Sequence, residues 1–245
     1  GGGQGLGRAM GEFLAAKGAR LALVDLNQEA LDAAVAACKQ AGGDARSYIC
    51  NVANEEQVTH MVNQVADDFG AIHGLINNAG ILRDGLLLKA KDGQIQKMSM
   101  AQWQSVIDVN LTGAFLFSRS VARTMQDSGG RIVHIASVSS FVANAEYAAY
   151  ASSKAALAQL VRVLAREWAP KNITVNAIGP ALIKTPLTEG YLAEPGFREQ
   201  AVAVIPMGRL AEPRDLMATI ILLLAEGGAF ITGQTIYVDG GRTLV

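Results

Sequence analysis

Short apolar runs alternate with longer amphipathic ones along the whole chain. Residues 20–25, 45–50, 75–78, 131–137, 173–178 and 234–238 are brief and mostly apolar, the pattern of strands buried on both faces. Between them, residues 8–17, 27–40, 54–69, 99–126, 150–168 and 213–226 carry apolar positions at helical spacing. The boundaries have their own signals. Asn54 caps the third of these helices, and Ser99 with Gln102 forms a capping box for the fourth. Gly42 and Gly43 end the second, Pro170 stops the fifth, and Pro213 opens the last. Regular strand–helix alternation predicts an α/β fold: one doubly wound parallel sheet with helices on both faces, spanning 1–245 without repeat or second domain.

Two stretches fall outside this rhythm. Residues 81–98 form a long connection in which 89–97 reads as an insertion, a hairpin turning at Asp92-Gly93. Residues 182–205 are broken by Pro186, Pro195 and glycines and read as a mobile substrate lid over a pocket.

Composition narrows the function classes. The 245 residues are 50% hydrophobic with a net charge of −1, enough for a substantial core and unlike a disordered chain. Basic residues are scattered, so no nucleic-acid footprint is expected. No apolar run reaches membrane-spanning length, and no membrane role is expected. Cys38 and Cys50 make neither a metal-ligand spacing nor a disulfide framework; buried filler in a reducing cytoplasm is the expectation, with no metal site.

The candidate chemistry lies around Tyr150-Ala-Ser-Ser-Lys154 and Ser137. Four residues apart on a helix, Tyr150 and Lys154 share a face, and Ser137 ends a strand. A phenol beside an ammonium can exchange a proton with a carbonyl or alcohol oxygen, and a hydroxyl can orient that oxygen. Tyr-x-x-x-Lys alone is common, so its surroundings decide its weight. Gly1 to Gly7 form a glycine-rich turn feeding a helix, which lets a pyrophosphate meet backbone N–H groups. Asp25 ends the next strand about twenty residues on, where a ribose diol would be held. The glycine turn, Asp25, Asn51, Asn78, Ser137 and Pro180 all fall at carboxyl ends of strands, which converge on one crevice in such a sheet.

With these motifs together, the chain resembles a short-chain dehydrogenase/reductase over nearly its whole length, and the resemblance implies a Rossmann-type sheet. The glycine loop with Gly5 and Gly7, Asn77-Asn-Ala-Gly80, Asn110, Ser137, Tyr150, Lys154 and the segment 179–185 carry it. The 3-oxoacyl-[acyl-carrier-protein] reductase branch is the most similar, from residues 77–85 and 230–241. The resemblance implies a catalytic set of Asn110, Ser137, Tyr150 and Lys154. It implies dinucleotide contacts from Gly1, Gly3, Gln4, Gly5, Leu6, Gly7, Asp25, Leu26, Asn51, Val52, Asn78, Ala79, Gly80, Tyr150, Lys154, Pro180, Ala181, Ile183 and Thr185. Ser139, Tyr147 and Leu187 would line the substrate pocket. Lys154 would hold the nicotinamide ribose and lower the phenol pKa, and Asn110 would fix a relay water or satisfy a helix irregularity. Asn77 is expected to be a structural link.

The implied activity is ketone–secondary alcohol interconversion with NAD preferred over NADP, because Asp25 would repel a 2′-phosphate. The implied substrate is a small carbonyl compound or alcohol, possibly an acyl thioester, and the implied assembly a homotetramer packed through the 99–126 and 150–168 helices, with Phe115, Phe117, Leu160 and Val163 as surplus apolar positions. A non-catalytic dinucleotide-binding regulatory protein and an epimerase or dehydratase of the extended family are the competing readings. Asn51 replaces the usual Asp, Pro180-Ala181 replaces Pro-Gly, Tyr147 replaces a common Gln, and Ser128 stands where the reductase branch can place Arg. The family's first strand would precede Gly1, so about ten further upstream residues are expected in the natural chain; intact mass tests this.

Overall fold

A computed structural model describes residues 1–91 and 93–244. The glycine turn runs directly into α1 (Gly5–Ala15), followed by β1 (Arg20–Asp25), α2 (Gln28–Gln40), β2 (Asp44–Ile49) and α3 (Glu55–Phe69). The side chains of Asn27 and Asn54 accept from the amides of Ala30 and Gln57, capping α2 and α3. Gly70 ends α3 in the left-handed region, with φ of 80°. Next come β3 (Gly74–Asn77), β4 (Leu88–Lys91), β5 (Gln94–Lys97) and α4 (Met100–Ile107), which opens on the Ser99/Gln102 capping box. The expected single helix to residue 126 is instead α4, a π-turn at Asp108–Thr112 and α5 (Gly113–Thr124). Then follow β6 (Gly130–Ile135), α6 (Ala148–Trp168), β7 (Ile173–Pro180), α7 (Pro186–Leu192), α8 (Phe197–Ala203), α9 (Arg214–Leu224) and β8 (Thr235–Val238).

The strands pair in parallel as β1–β2 and as β3–β6–β7–β8. No ladder joins the two sets among the described residues. Residues 1–3 lie across their carboxyl ends: the Gly2 amide donates to Val24 O at 2.8 Å, and Asn78 Nδ2 donates to Gly1 O at 2.8 Å. β4 and β5 form the expected antiparallel hairpin, with Leu88 opposite Lys97 and Ala90 opposite Ile95. The Asp92 of its turn lies outside the described residues.

Successive residues of β6 serve opposite faces of the sheet, as pleating requires. Ile132 and Ala136 join the side packed by α3, α5 and α6, with Val58, Leu116 and Val161. Val133 and Ile135 join the side packed by α1 and α9, with Met10, Leu216, Ile220 and Leu223. Every residue of β7 is buried, and each fully buried Ile or Val stabilises the fold by about 1.5–3 kcal/mol. The core also claims two residues expected to be surplus. Phe117 is buried and Leu160 packs against that same core, leaving Phe115 and Val163 as the exposed pair, 38% and 43% accessible. The segment 182–205 is not irregular. It folds into α7 and α8, with the Thr185/Thr188 capping box and the Ile183–Ala211 bridge fixing its start. No helix of the described residues is long and apolar enough to cross a membrane.

Candidate active site

A cavity of about 980 Å³ opens at the carboxyl ends of the strands. One end is bounded by the glycine turn and β1. Gly1, Gln4, Gly5 and Leu6 line it, together with Asp25, Leu26, Asn51 and Val52. The glycines are there for space: a Cβ on Gly1 would sit 2.9 Å from Ala79 Cα, and one on Gly7 would collide with the Gly1 carbonyl oxygen. Gly3 and Gly7, two of the expected contact residues, lie off the cavity wall. Gly7 lets α1 approach the loop, and the Gly3 amide donates to Asp25 Oδ2 at 3.1 Å. Asp25 Oδ1 accepts from the amides of Leu26 at 2.7 Å and Asn27 at 3.3 Å. Backbone donors thus fix the carboxylate at the cavity rim. Asn51 uses its Oδ1 to accept from the Ala53 amide at 3.0 Å, so its Nδ2 is the remaining polar handle.

Asn78, Ala79 and Gly80, just after β3, continue the wall, and Pro180 at the end of β7 closes it with Ala181, Ile183 and Thr185. Asn77 turns away from the cavity. Its Nδ2 reaches Ser118 Oγ at 3.1 Å and His134 Nδ1 at 3.4 Å, tying β3 to α5 and β6 as expected of a structural link. His134 is fully buried, and loss of solvent, with the Lys154 charge, pulls its pKa down to about 3; it is a neutral scaffold residue.

Ser137, Tyr150 and Lys154 line the middle of the cavity together. Lys154 is buried, and its Nζ donates to Ile135 O at 2.7 Å, 5.7 Å from the Tyr150 ring centroid. Burial draws the ammonium pKa down to about 8. The Tyr150 phenol is not lowered as the sequence suggested. Loss of water pushes it up to about 12; the Ser137 hydroxyl pulls it down, while Tyr147 and Asp84 push it further up. The ammonium faces the ring and is engaged by a carbonyl, so it does not offset the phenol's desolvation. Ser137 Oγ accepts from the Ser139 amide at 3.1 Å.

Asn110 does not line the cavity. It sits buried in the π-turn, where its Oδ1 accepts from the Ile81 amide at 2.8 Å. Its Nδ2 donates to Ile81 O at 3.1 Å and Ser153 Oγ at 3.2 Å. The side chain therefore satisfies the loop after β3 and braces it against α6, rather than a free backbone group of the helix irregularity itself. A π-turn frees a backbone position, and such turns often occur at functional sites.

Ser139, Tyr147 and Leu187 also line the cavity. The Tyr147 ring meets Tyr150 edge-on, centroids 6.0 Å apart. Sequence reasoning missed Arg83, Asn144, Glu146, Tyr191, Phe197, Gln200 and Arg242, which line it too. Tyr191 and Phe197 come from the 182–205 segment and stack with centroids 5.8 Å apart. Only the position of that segment, read as a lid, pointed to them.

Once this geometry is in hand, the comparisons with known proteins agree with it. Residues 1–243 match the family model described as enoyl-(acyl carrier protein) reductase. A 3-oxoacyl-[acyl-carrier-protein] reductase from Synechocystis is 38% identical over 98% of this chain and 94% of its own length. A D-threitol dehydrogenase from Mycolicibacterium smegmatis is 36% identical over 98% of this chain and 89% of its own. Among solved structures, a gluconate 5-dehydrogenase from Burkholderia cenocepacia, in complex with NADP and tartrate, superposes with a TM-score of 0.92 at 30% identity, covering 100% of this chain and 93% of that one.

The chain belongs to the short-chain dehydrogenase/reductase family of oxidoreductases, enzymes that use a nicotinamide dinucleotide. The residues present fit that group: a loop closed to side chains, a fixed carboxylate at the rim and one long cavity joining both to Tyr150.

Proposed function

We propose that this protein is an NAD(H)-dependent oxidoreductase interconverting a ketone and a secondary alcohol, with Tyr150 as the acid/base. The observation that carries this reading is that Ser137, Tyr150 and Lys154 share one cavity with the glycine loop and Asp25. The dinucleotide, when bound, supplies or accepts the hydride at the carbonyl carbon. Gly1, Gln4, Gly5 and Leu6 would present backbone to its phosphates, Asp25 its carboxylate to the adenosine ribose diol, and Lys154 its ammonium to the nicotinamide ribose. Asn78 to Gly80 and the 180–185 segment would wall the ring.

In reduction, the Tyr150 O–H donates its proton to the substrate oxygen as charge develops there, and the Ser137 hydroxyl donates a hydrogen bond to the same oxygen. A phenol with its pKa raised to about 12 is protonated at neutral pH and is matched to an alkoxide-like oxygen. Oxidation requires the phenolate, which the bound oxidised nicotinamide's positive charge would favour. Asn110 acts indirectly, by holding Ile81 and Ser153 in place.

A 3-oxoacyl thioester is the first substrate class to test, on the reductase relatives. The polar lining from Ser139, Asn144 and Gln200 supports hydroxylated ketones beside it, in line with the threitol and gluconate dehydrogenases. The segment 182–205 is proposed as the substrate lid, the assembly as a homotetramer and the compartment as the cytoplasm. The test is NADH oxidation against a panel of 3-oxoacyl thioesters, simple ketones and hydroxylated ketones. Turnover that vanishes in Tyr150→Phe supports the reading. NADH binding without turnover of any member favours a regulatory dinucleotide-binding protein.

A further inference from the structure

Two fixed turns each bring a guanidinium group to the cavity. Arg83 lies in the loop after β3, which is pinned on both sides of it. Before it, Ile81 exchanges two hydrogen bonds with the Asn110 side chain, at 2.8 and 3.1 Å. After it, the Gly85 amide donates to Glu146 O at 2.9 Å, which holds the loop against the start of α6.

Arg242 lies in the turn after β8. Asp239 Oδ1 accepts from the Gly241 amide at 3.0 Å, and Oδ2 accepts from the amide and hydroxyl of Thr243 at 2.8 and 2.7 Å. Gly240 and Gly241, with φ of 62° and 91°, let this turn lie directly on the end of the 182–205 segment. A Cβ on Gly240 would sit 2.8 Å from Ile205, and one on Gly241 2.9 Å from Pro206. The Met207 amide donates to Gly240 O at 3.1 Å. Gly1 and Gly2 tie the carboxyl end of β1 to that of β3, while β6 and β7 separate β3 from β8. Arg242 therefore stands across the cavity from Asp25.

Among the described residues, the charged side chains that line the cavity are Asp25, Arg83, Glu146, Lys154 and Arg242. Lys154 is engaged by Ile135 O. No ion pair of the described residues includes Arg83. Its Nη1 donates to the neighbouring Leu82 O at 2.9 Å, and its other donors have no partner among the described residues. Away from Asp25, two guanidinium groups thus face one carboxylate, that of Glu146. A guanidinium presents a planar fork of donors that matches paired anionic oxygens.

We propose that Arg83 and Arg242 set the substrate specificity: they hold an anionic oxygen group, a carboxylate or a phosphate, that the ketone carries away from its reacting carbon. They bind substrate and take no part in the proton transfer. The proposal rests on the carbonyl chemistry read at Tyr150, but one arm of its test is independent of turnover.

The first arm compares kcat/KM, with NADH, within two pairs that differ in charge. One pair is acetoacetate and its ethyl ester; the other is acetoacetyl-coenzyme A and the acetoacetyl thioester of N-acetylcysteamine. The unmodified protein should favour the charged member of one pair about a hundredfold. Arg83→Gln and Arg242→Gln should each cut that preference about tenfold, the loss expected of one hydrogen bond to a charged group. A preference in the first pair puts the anion on the ketone itself, and one in the second puts it on the carrier. No preference in either pair, or a preference that neither variant changes, overturns the proposal; a preference cut by one variant alone removes the other arginine from the site.

The second arm is calorimetric titration of the NAD-loaded protein with acetoacetate and with coenzyme A, conditions under which no hydride moves. The dissociation constant of the anion bound should rise about tenfold in each variant. If the unmodified protein turns over no ketone, the carbonyl reading fails and this titration alone decides the anion site: weaker binding in the variants upholds it, and unchanged binding, or none by the unmodified protein, overturns it.

Discussion

The Lys154 ammonium donates to the Ile135 carbonyl at 2.7 Å, so this α6 lysine is anchored to the last residue of β6, two residues before Ser137. This contact holds Lys154 inward although burial disfavours its charge. Its folded pKa, about 8, lies below the ordinary lysine value of 10.5. The unfolded chain therefore binds more protons between those two pH values, and stability rises with pH across that window. At pH 7 the buried charge costs up to about 3 kcal/mol, less what the Ile135 contact returns. Lys154→Met should therefore lose activity yet melt several degrees higher at pH 7, with the gap closing by pH 10. Calorimetry at both pH values checks this; a lower melting temperature at pH 7 contradicts it.

Tyr150→Phe keeps the ring that packs edge-on against Tyr147 and removes only the acid/base hydroxyl. Turnover should fall at least about a hundredfold, while NADH binding, followed by fluorescence, stays within twofold. A variant keeping more than a few per cent of kcat would remove Tyr150 from the acid/base role.

Asp25 decides cofactor choice in the proposed reading. Its carboxylate is fixed at the rim by the amides of Leu26, Asn27 and Gly3. A 2′-phosphate about 4 Å away would be repelled by about 4 kcal/mol at an effective dielectric near 20, less where water screens it. Arg8 offers no relief, because its Nε is engaged by Glu12 at 2.7 Å. The kcat/KM for NADH should exceed that for NADPH at least tenfold, and Asp25→Ser should narrow the gap. Equal use of both cofactors by the unmodified protein would place the adenosine ribose elsewhere.

The proposed assembly would have a smaller apolar patch to use than the sequence implied. Phe115 and Val163 remain exposed on α5 and α6, and the Arg119 guanidinium lies 5.0 Å from the Phe115 ring centroid. If these helices pack against a second copy, Phe115→Glu with Val163→Glu should lower the mass in light scattering at micromolar concentration without changing the circular dichroism. A monomer in the unmodified protein rules the tetramer out.

Much of the fold could be read from local chemistry. Alternating apolar runs, asparagine and serine caps and glycine stops depend on residues within about one helical turn of each other, so they placed nearly every strand and helix. The i,i+4 spacing of Tyr150 and Lys154 likewise followed from periodicity, whereas Ser137, expected to end the strand, lies two residues beyond β6 and caps the turn that follows. What remained hidden depends on partners far apart in the chain. The π-turn at Asp108–Thr112 accompanies Asn110 reaching Ile81 and Ser153. Phe117 and Leu160 differ from Phe115 and Val163 only in which side of their helices the sheet covers. Gly85 and Glu146 come from separate segments, and the contact of the Gly85 amide with the Glu146 carbonyl is a product of packing. The Tyr150 phenol was expected to titrate low because a lysine is four residues away. It is pushed high because a proton's affinity depends on the water and charge around the whole group, and burial, decided only by the tertiary fold, outweighs one neighbour whose ammonium is turned toward Ile135.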